Sequence, residues 1–534
     1  MTTPDHYPPA EEPNRDGKPE RFNATDFESS RILRDKLLGL GREKPLPDDP
    51  PTTKQKQEAA KRVGDGEFAL SLVEDDLVPF QSEGEAYAVF SDKGASRIIA
   101  LRSREFGALI RRRFFAETSR LLGKAAFGAA LQALIDKALE GEERALHLRT
   151  APIPDGICLD LGGRMRRAVT ITPGGFEVTA APPALFRSSS GALVEPAAAG
   201  DLGLLRRHLN VSDVQFQLIV AWLTFSMRPA GPYPLLALSG EQGSAKTTAA
   251  AVLRYLLDGR RTGGRALPAS KQNLDVSARL SHLLSYDNVS YISPAMSDCL
   301  ARLATGEEEG RRRLFTDSDE VVFEAMRPIL INGIGSVVTR PDLVDRTIFI
   351  EVPVIPKSRR LTKKAFWQRF EQDAPAIMTG LVEVIVQGLR RLPDTVLADL
   401  PRMADFAEWG CAIERTHWSE GSFMEAYGAN IEAGNADILQ VDDLGMAIVE
   451  MMSETSSWTG TATQLLERLD GDRTKQQRRL QPLPPNGQRL SIELQRLAPV
   501  LRRRGIEIEH RLAPDKHRTR LITLSVDAGC VEEE

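Results

Sequence analysis

The feature that most constrains the fold of this chain is a short glycine-containing loop between an apolar run and an amphipathic segment. Residues 235–238 are apolar and typical of a buried strand, and residues 249–257 carry apolar side chains at helical spacing. A strand, a loop of small residues and a helix in that order bring backbone amides and a helix N-terminus to one point. The sequence therefore predicts a phosphate-binding loop. Its residues are Gly240, Glu241, Gln242, Gly243, Ser244, Ala245, Lys246, Thr247 and Thr248.

Phosphate chemistry explains the residue types in this loop. Gly240 and Gly243 let backbone amides turn toward the phosphates, Lys246 supplies a cation, and the hydroxyl group of Thr247 ligates Mg²⁺. Ala245 stands where the pattern GxxxxGK[ST] has its last glycine, and we expect a methyl group to be tolerated there if the local φ is negative. The loop therefore predicts ATP and Mg²⁺ as cofactors.

Four polar residues downstream follow the order expected at the edge of a parallel sheet. Asp287 ends an apolar strand, where an acid beside the loop can hold Mg²⁺. Asn288 stands where many ATPases with a phosphate-binding loop have a glutamate that activates the attacking water. The amide of asparagine can orient a water molecule but cannot take its proton. Asn332 ends the next strand and is expected beside Asp287, within reach of the γ-phosphate or the water. Arg346 precedes another strand, and we expect it to project from the domain rim into a neighbouring subunit's nucleotide.

The chain is too long for one core, because 534 residues correspond to several domains. We predict an α/β P-loop nucleoside triphosphatase core with a helical lid, an N-terminal α+β region and a C-terminal winged-helix-like module. The predicted segments are a proline-rich tail (1–65), an α+β accessory domain (66–200), linker helices (201–231), the core (232–356), the lid (357–456), the winged-helix-like module (457–526) and an acidic tail (527–534).

The composition excludes several classes of protein. An apolar fraction of 42% and a charged fraction of 27% are ordinary for a globular chain. No apolar run is long enough to span a membrane, and the four cysteines form no CxxC pair. We therefore expect a cytoplasmic protein with reduced thiols and no membrane partner. Asp75, Asp76 and Asp160 are interpreted as turn residues rather than as the metal site of a polymerase or primase.

The winged-helix-like module is basic although the chain has a net charge of -5. Residues 457–525 hold 14 Lys and Arg against 7 Asp and Glu, a net charge of +7. Two alternating strands, 506–510 and 519–524, are joined by a basic connection that contains Lys516 and Arg518. These two residues are predicted to contact DNA phosphates, although modules of this kind also dock proteins.

The chain resembles, in the order of these segments, the ATPases of phage and other mobile elements that act as primase/helicase proteins. Those ATPases are similar to superfamily 3 helicases, a branch of the AAA+ ATPases. The resemblance covers roughly residues 200–470. It implies Walker A at the loop, Walker B at Asp287, sensor 1 at Asn332 and an arginine finger at Arg346. It also implies a channel-lining hairpin over residues 304–322. The DNA-contact candidates in that hairpin are Arg311, Arg312 and Arg313. Arg402, at the start of a lid helix, is a candidate second sensor.

These observations predict an ATP-dependent DNA motor, a ring-forming replicative helicase of a mobile element. The expected partners are single-stranded or forked DNA and further copies of the chain, with a hexamer as the candidate assembly. A primase or another replication protein is a further candidate partner. The alternative is an ATP-switched DNA-binding or loader protein without unwinding activity, which Asn288 favours. A small-molecule kinase explains neither the basic C-terminal module nor Arg346.

Overall fold

The computed structural model describes most of the chain from residue 64 onward. The described ranges are 64–92, 95–163, 166–187, 191–306, 310–312, 320–322, 325–333, 337–471, 483–513 and 520–526. The predicted tails at 1–65 and 527–534 lie outside these ranges, apart from residues 64 and 65. The chain divides into two units. The first is Met1–Phe80, Ala86–Phe90 and Ala100–Gly141, and the second is Gln81–Glu85, Ser91–Ile99 and Glu142–Glu534.

The described part of the first unit contains three helices. They are α1 (Asp65–Glu74), α2 (Arg104–Thr118) and α3 (Lys124–Leu139). Helix α1 packs against both of the others and buries Ala69 and Val73. The strands in this part of the chain form a three-stranded sheet in the order β1-β2-β3, with β1 (Leu77–Ser82), β2 (Glu85–Asp92) and β3 (Ala95–Ala100).

A small antiparallel sheet follows in the second unit. Its four strands lie in chain order and are β5 (Thr150–Ile153), β6 (Gly156–Gly162), β7 (Arg167–Thr172) and β8 (Gly175–Thr179). Two short strands flank this sheet along the chain and pair with each other in parallel. They are β4 (Leu146–His147), which precedes β5, and β9 (Leu185–Phe186), which follows β8. The middle strands β6 and β7 are the most buried of the four.

A buried arginine lies beside this sheet. Arg149 is 2% exposed, and its guanidinium group lies 3.9 Å from the Asp160 carboxylate and 3.6 Å from that of Asp258. Arg149 also donates hydrogen bonds to the carbonyl oxygens of Asp160 and Gly191. Desolvation lowers the pKa of Arg149, while the two carboxylates oppose that shift. Asp160 therefore lies in β6 as the partner of a buried cation, and its interpretation as a turn residue is wrong.

The centre of the second unit is a parallel sheet in the order β11-β14-β10-β15. Its strands are β10 (Leu235–Ser239), β11 (Leu284–Val289), β14 (Ile329–Gly333) and β15 (Thr347–Glu351). The intervening helices are α6 (Lys246–Asp258), α7 (Lys271–Leu280), α8 (Pro294–Thr305) and α9 (Pro341–Val344), and α4 (Leu202–His208) and α5 (Asp213–Ser226) precede the sheet. Strands that alternate with helices confirm the predicted α/β core.

The first three α-helices of the predicted lid region follow the parallel sheet in succession. They are α10 (Lys363–Arg391), α11 (Ala404–Glu414) and α12 (Ser422–Val441). Helix α10 packs against α4, α5 and α11, and its buried residues share one core with α5 and α6. In the described part of the chain, no helix is long and apolar enough to cross a membrane.

The last elements form what we call the C-terminal module, Asp443 to Val526. Its helices are α13 (Asp443–Glu454), α14 (Ala462–Gly471) and α15 (Gly487–Arg503), and its strands are β16 (Ser457–Gly460), β17 (Ile506–Leu512) and β18 (Arg520–Val526). The strands form an antiparallel sheet in the order β16-β18-β17. Helix α13, which falls within the predicted lid, packs against α12 as well as against α14, α15 and β18, so it joins the lid helices to this sheet.

Candidate functional site

The loop at residues 240–245 joins β10 to the first turn of α6. Strand β10 lies between β14 and β15, so the loop leaves the sheet away from its edges. Gly240 has a φ of +141°, and a Cβ atom there would lie 2.4 Å from the carbonyl oxygen of Val352. Only glycine fits this position, because any side chain would overlap the backbone that follows β15.

Ala245 lies at the cap of α6 in a left-handed conformation. Its φ is +66° and its ψ is +29°, so the negative φ under which a methyl group was expected to be tolerated is not found here. The chain reverses direction here to begin the helix, and the carbonyl oxygen of Ala245 accepts the helical bond from the Ala249 N–H group at 2.9 Å. This conformation costs alanine about 1–2 kcal/mol relative to glycine, so the loop is locally strained.

Lys246 and Thr247 open α6 beside the carboxylate of Asp287. The Lys246 ammonium group donates to the carbonyl oxygen of Glu241 at 2.8 Å and also to that of Gly240. The Thr247 hydroxyl group donates to Asp287 Oδ1 at 3.3 Å. A cation, a hydroxyl group and a carboxylate therefore lie at one end of the parallel sheet, although 40 residues separate Thr247 from Asp287.

Two asparagines lie where β11 and β14 end. Asn332 Oδ1 accepts a hydrogen bond from the Asn288 N–H group at 2.9 Å. Asn288 has a φ of +55°, and the pairing of the two strands shifts register next to it. Asn332 is 2% exposed, and its Nδ2 atom has no hydrogen-bond partner among the described residues. A buried amide donor is thus left available at the strand ends. Burial also raises the pKa of the neighbouring Tyr286 to about 12, so its hydroxyl group stays protonated.

A cavity of about 330 Å³ brings most of these residues together. It is lined by Glu241, Gln242, Gly243, Ala245, Lys246, Thr247, Asp287, Asn288, Asn332 and Gly333. Ser244 lies buried behind the loop. The residues fit a magnesium-bound polyphosphate, since the orphaned Asn332 amide and Lys246 can bind anionic oxygens and Thr247 and Asp287 offer hard oxygen ligands. Within the described ranges, no cluster of three or more His, Cys, Asp and Glu side chains provides a separate metal site.

Arg346, which precedes β15, does not project from the domain rim as the sequence predicts. Arg346 is 3% exposed, donates to the carbonyl oxygen of Asp342 at 2.6 Å and pairs with the Asp342 carboxylate. The expectation that it projects from the rim is therefore wrong in this conformation, because α9 places its partner one turn away. Arg402, the candidate second sensor, lies 3.7 Å from the same carboxylate and does not line the cavity. Arg340 is 28% exposed and pairs with Asp298 at 3.1 Å.

Two family models match the chain. The model of the actinomycete integrative conjugative element replication protein matches residues 202–437. The model of the RepA C-terminal domain of these elements matches residues 444–532, and the two together span more than half of the 534 residues. The chain belongs to this family of replication proteins. The predicted resemblance to replication proteins of mobile elements is thereby confirmed.

Two solved structures are similar to this replication protein at low identity. The apo A form of the NrS-1 C-terminal region is 12% identical with a TM-score of 0.40, covering 85% of this chain and 98% of that one. The SCCmec type IV Cch active helicase is 13% identical with a TM-score of 0.44, covering 84% and 93%. No curated protein sequence matches the chain. Its family membership therefore rests on the two family models.

The side chains of all five DNA-contact candidates of this replication protein lie outside the described part of the structure. Arg311 and Arg312 lie on β12 (Gly310–Arg312), which pairs antiparallel with β13 (Glu320–Val322), as a hairpin in this region requires. Arg313, Lys516 and Arg518 lie outside the described residues. Contact of these five residues with DNA stays a prediction.

A basic segment beside the loop was not predicted. Five of the eight residues 357–364 are Lys or Arg, all exposed, and no acid occurs between residues 352 and 370. Ile355 donates its backbone N–H to the Gly243 carbonyl oxygen at 3.2 Å, and Arg360 Nε donates to the Ile355 carbonyl oxygen at 3.0 Å. A Cβ atom at Gly243 would lie 2.8 Å from the Arg360 guanidinium group. The segment therefore adds positive charge at the loop, and a charge count over short windows would have found it.

Proposed function

We propose that this replication protein is a P-loop ATPase that couples the hydrolysis of Mg-ATP to work on DNA, as a replicative helicase of an integrative element. The observation that carries the proposal is the meeting of Lys246, Thr247, Asp287 and Asn332 at one cavity. These residues come from the ends of two different strands and the start of one helix, so their convergence is a product of the fold. Membership of a replication-protein family supports DNA as the substrate.

Four of the residues that line the cavity have a definite role in this proposal. Lys246 would exchange its bonds to loop carbonyl groups for phosphate oxygens, and Thr247 with Asp287 would hold Mg²⁺. The bound ion would supply charge neutralisation at the phosphates. The free amide hydrogens of Asn332 would orient a phosphate oxygen or the attacking water. Asn288 cannot accept a proton, so the chain's own contribution is positioning and charge stabilisation rather than base catalysis.

The finer architecture belongs to the same proposal. The lid would be formed by α10 to α12. Among the described residues, the C-terminal module has the order α13-β16-α14-α15-β17-β18 and the sheet order β16-β18-β17, and this order supports a winged helix. Its net positive charge favours phosphate contact. We further propose a homo-oligomeric ring in which arginines of the 340–346 segment act on the neighbouring ATP. Arg346 would first have to leave Asp342, whereas Arg340 starts more exposed.

The test is ATP hydrolysis by the full chain with a matched pair of lysine variants. Lys246→Ala should reduce kcat by several orders of magnitude, because a positioned charge at the phosphates contributes several kcal/mol to the transition state. Lys137→Ala removes the same charge from a surface helix, where the lysine pairs with Glu74, and should leave hydrolysis unchanged. Equal activity in the two variants would mean that the cavity is not the nucleotide site.

Asn288 favours the second candidate, a loader that binds DNA in an ATP-dependent way without unwinding it. Strand displacement on forked DNA separates the two functions. A helicase should release the labelled strand in an ATP-dependent reaction that Lys246→Ala abolishes. A loader should show ATP-dependent DNA binding in fluorescence anisotropy and no strand release. Mass photometry with ATP and forked DNA tests the ring, since only monomers at working concentrations would contradict it.

A further inference from the structure

The C-terminal module packs on the helix that lies between Arg340 and Arg346. Leu343 and Val344 of α9 and Leu497 of α15 are buried in one hydrophobic cluster, and the two helices contact each other. The same cluster includes residues of β10, β11 and β14. The module is therefore built onto the α/β core through a shared apolar interior, rather than being tethered by a flexible linker alone.

An ion pair adds a specific contact at this junction. Arg503, at the end of α15, lies 3.1 Å from Asp345 Oδ1. Asp345 immediately precedes Arg346. The adjacent Arg502 points to a different partner, Glu507 of β17 in the module itself, also at 3.1 Å. Two consecutive arginines of one helix therefore divide their contacts between the core and the module.

The segment that α15 touches also reaches the base of the phosphate loop. The carbonyl oxygen of Arg346 accepts a hydrogen bond from the N–H group of Leu235, the first residue of β10, at 2.8 Å. Strand β10 then pairs with β15 over its whole length and leads into the loop. A displacement of α9 would therefore move the arginine side chains of residues 340–346 and act on the first residue of the strand that carries the loop.

We propose that α15 of the C-terminal module positions the 340–346 segment, so that DNA bound by the module regulates ATP hydrolysis. This inference rests on the proposed function, and it adds the route by which DNA controls the ATP site. The route consists of the packing between α9 and α15 and one ion pair. It would position either Arg340 or Arg346, depending on which of the two acts on the nucleotide. Arg503 and Asp345 are positioning residues in this scheme, since neither lines the cavity.

The experiment uses the full chain and two neighbouring charge reversals. Arg503→Glu places a like charge against Asp345, whereas Arg502→Glu makes the same change one residue away against Glu507. We expect Arg503→Glu to lower the DNA-stimulated kcat by about threefold to tenfold, with the KM for ATP and the affinity for forked DNA within about twofold of the parent. Arg502→Glu should leave the stimulation intact. The double variant Arg503→Glu with Asp345→Arg restores the opposite charges and should recover stimulation.

The possible outcomes separate this inference from the proposed function. If the parent protein hydrolyses ATP but DNA does not stimulate it, the regulatory route fails while the ATPase stands. If the parent hydrolyses no ATP, the proposed function fails and the inference fails with it. Equal stimulation in Arg503→Glu and Arg502→Glu also overturns the inference. Should Arg503→Glu melt well below the parent, Arg503→Ala removes the pair without repulsion, and unchanged stimulation in that variant likewise overturns the regulatory route.

Discussion

Replacing Ala245 tests whether the phosphate-binding loop is strained. With φ at +66° and ψ at +29°, the residue adopts a conformation that costs alanine about 1–2 kcal/mol relative to glycine. Glycine has more freedom in the unfolded chain, which offsets about 0.4–1 kcal/mol of that difference. Ala245→Gly should therefore stabilise the protein by up to about 1.6 kcal/mol. Because Ala245 also lines the cavity, we expect ATP to bind the variant at least as tightly as the parent.

The assay is the melting temperature with and without Mg-ATP, together with ATP titrations of hydrolysis. Ala249→Gly is the matched control, because it makes the same change inside α6 and should destabilise by about 1 kcal/mol. Ala245→Val places a β-branched side chain at a positive φ and should lower both stability and ATP affinity. A drop in melting temperature for Ala245→Gly like that of Ala249→Gly, or full tolerance of Ala245→Val, would refute the strain.

Three other regions make measurable predictions. Burial lowers the pKa of His282 to about 3, so below its ordinary pKa of 6.5 the unfolded chain binds a proton that the folded protein does not. Stability should then fall as the pH drops, by about 2 kcal/mol at pH 5, and His282→Gln should flatten the melting temperature between pH 6.5 and about 4.5. Arg149→Ala removes the buried donor of the Asp160 and Gly191 carbonyl oxygens, while Arg254 and Arg260 still pair with Asp258, and it should cost about 1–3 kcal/mol, seen as a fall in melting temperature. Combining Lys516→Ala with Arg518→Ala should lower the log–log salt slope of duplex DNA binding by about 0.9 for each lost phosphate contact, and an unchanged slope in anisotropy titrations would contradict DNA contact there.

Local patterns predicted most of the elements around the site. The apolar run at 235–238 became β10, the helical pattern at 249–257 lies within α6, and the alternating strands at 506–510 and 519–524 correspond to β17 and β18. These predictions succeeded because strand and helix periodicity, and the residues that end them, act over short windows. The order of motifs along the chain also identified which strand ends would carry polar residues, since parallel strands present their carboxyl ends at one edge.

Exposure and backbone conformation could not be predicted in the same way. Arg346 was expected at the surface, although Pro341 at a first helical position and Asp342 four residues before Arg346 were signals for a helical ion pair. The positive φ of Ala245 depends on how α6 meets the sheet, which no local preference for alanine indicates. The partners Arg149 and Asp258 are 109 residues apart, and nothing in either local sequence points to the other.

The sheet from β5 to β8 packs against α6, the helix that carries the lysine and threonine of the loop, and its sequence does not predict this contact. Leu159 and Val169 are buried in the same hydrophobic cluster as Leu256 of α6, although the family match begins only at residue 202. A Cβ atom at Gly191 would lie 1.9 Å from the Asp258 carbonyl oxygen, so the backbone after this sheet lies directly against the end of α6. Helix α6 begins at Lys246 and ends at Asp258, and Arg149 holds that end from the sheet side. Because a helix is a rigid rod over this length, fixing its C-terminal end also fixes the position of its first turn. The small sheet is therefore part of the structure that places the lysine and threonine of the loop, and the functional core extends further toward the N-terminus than the family match.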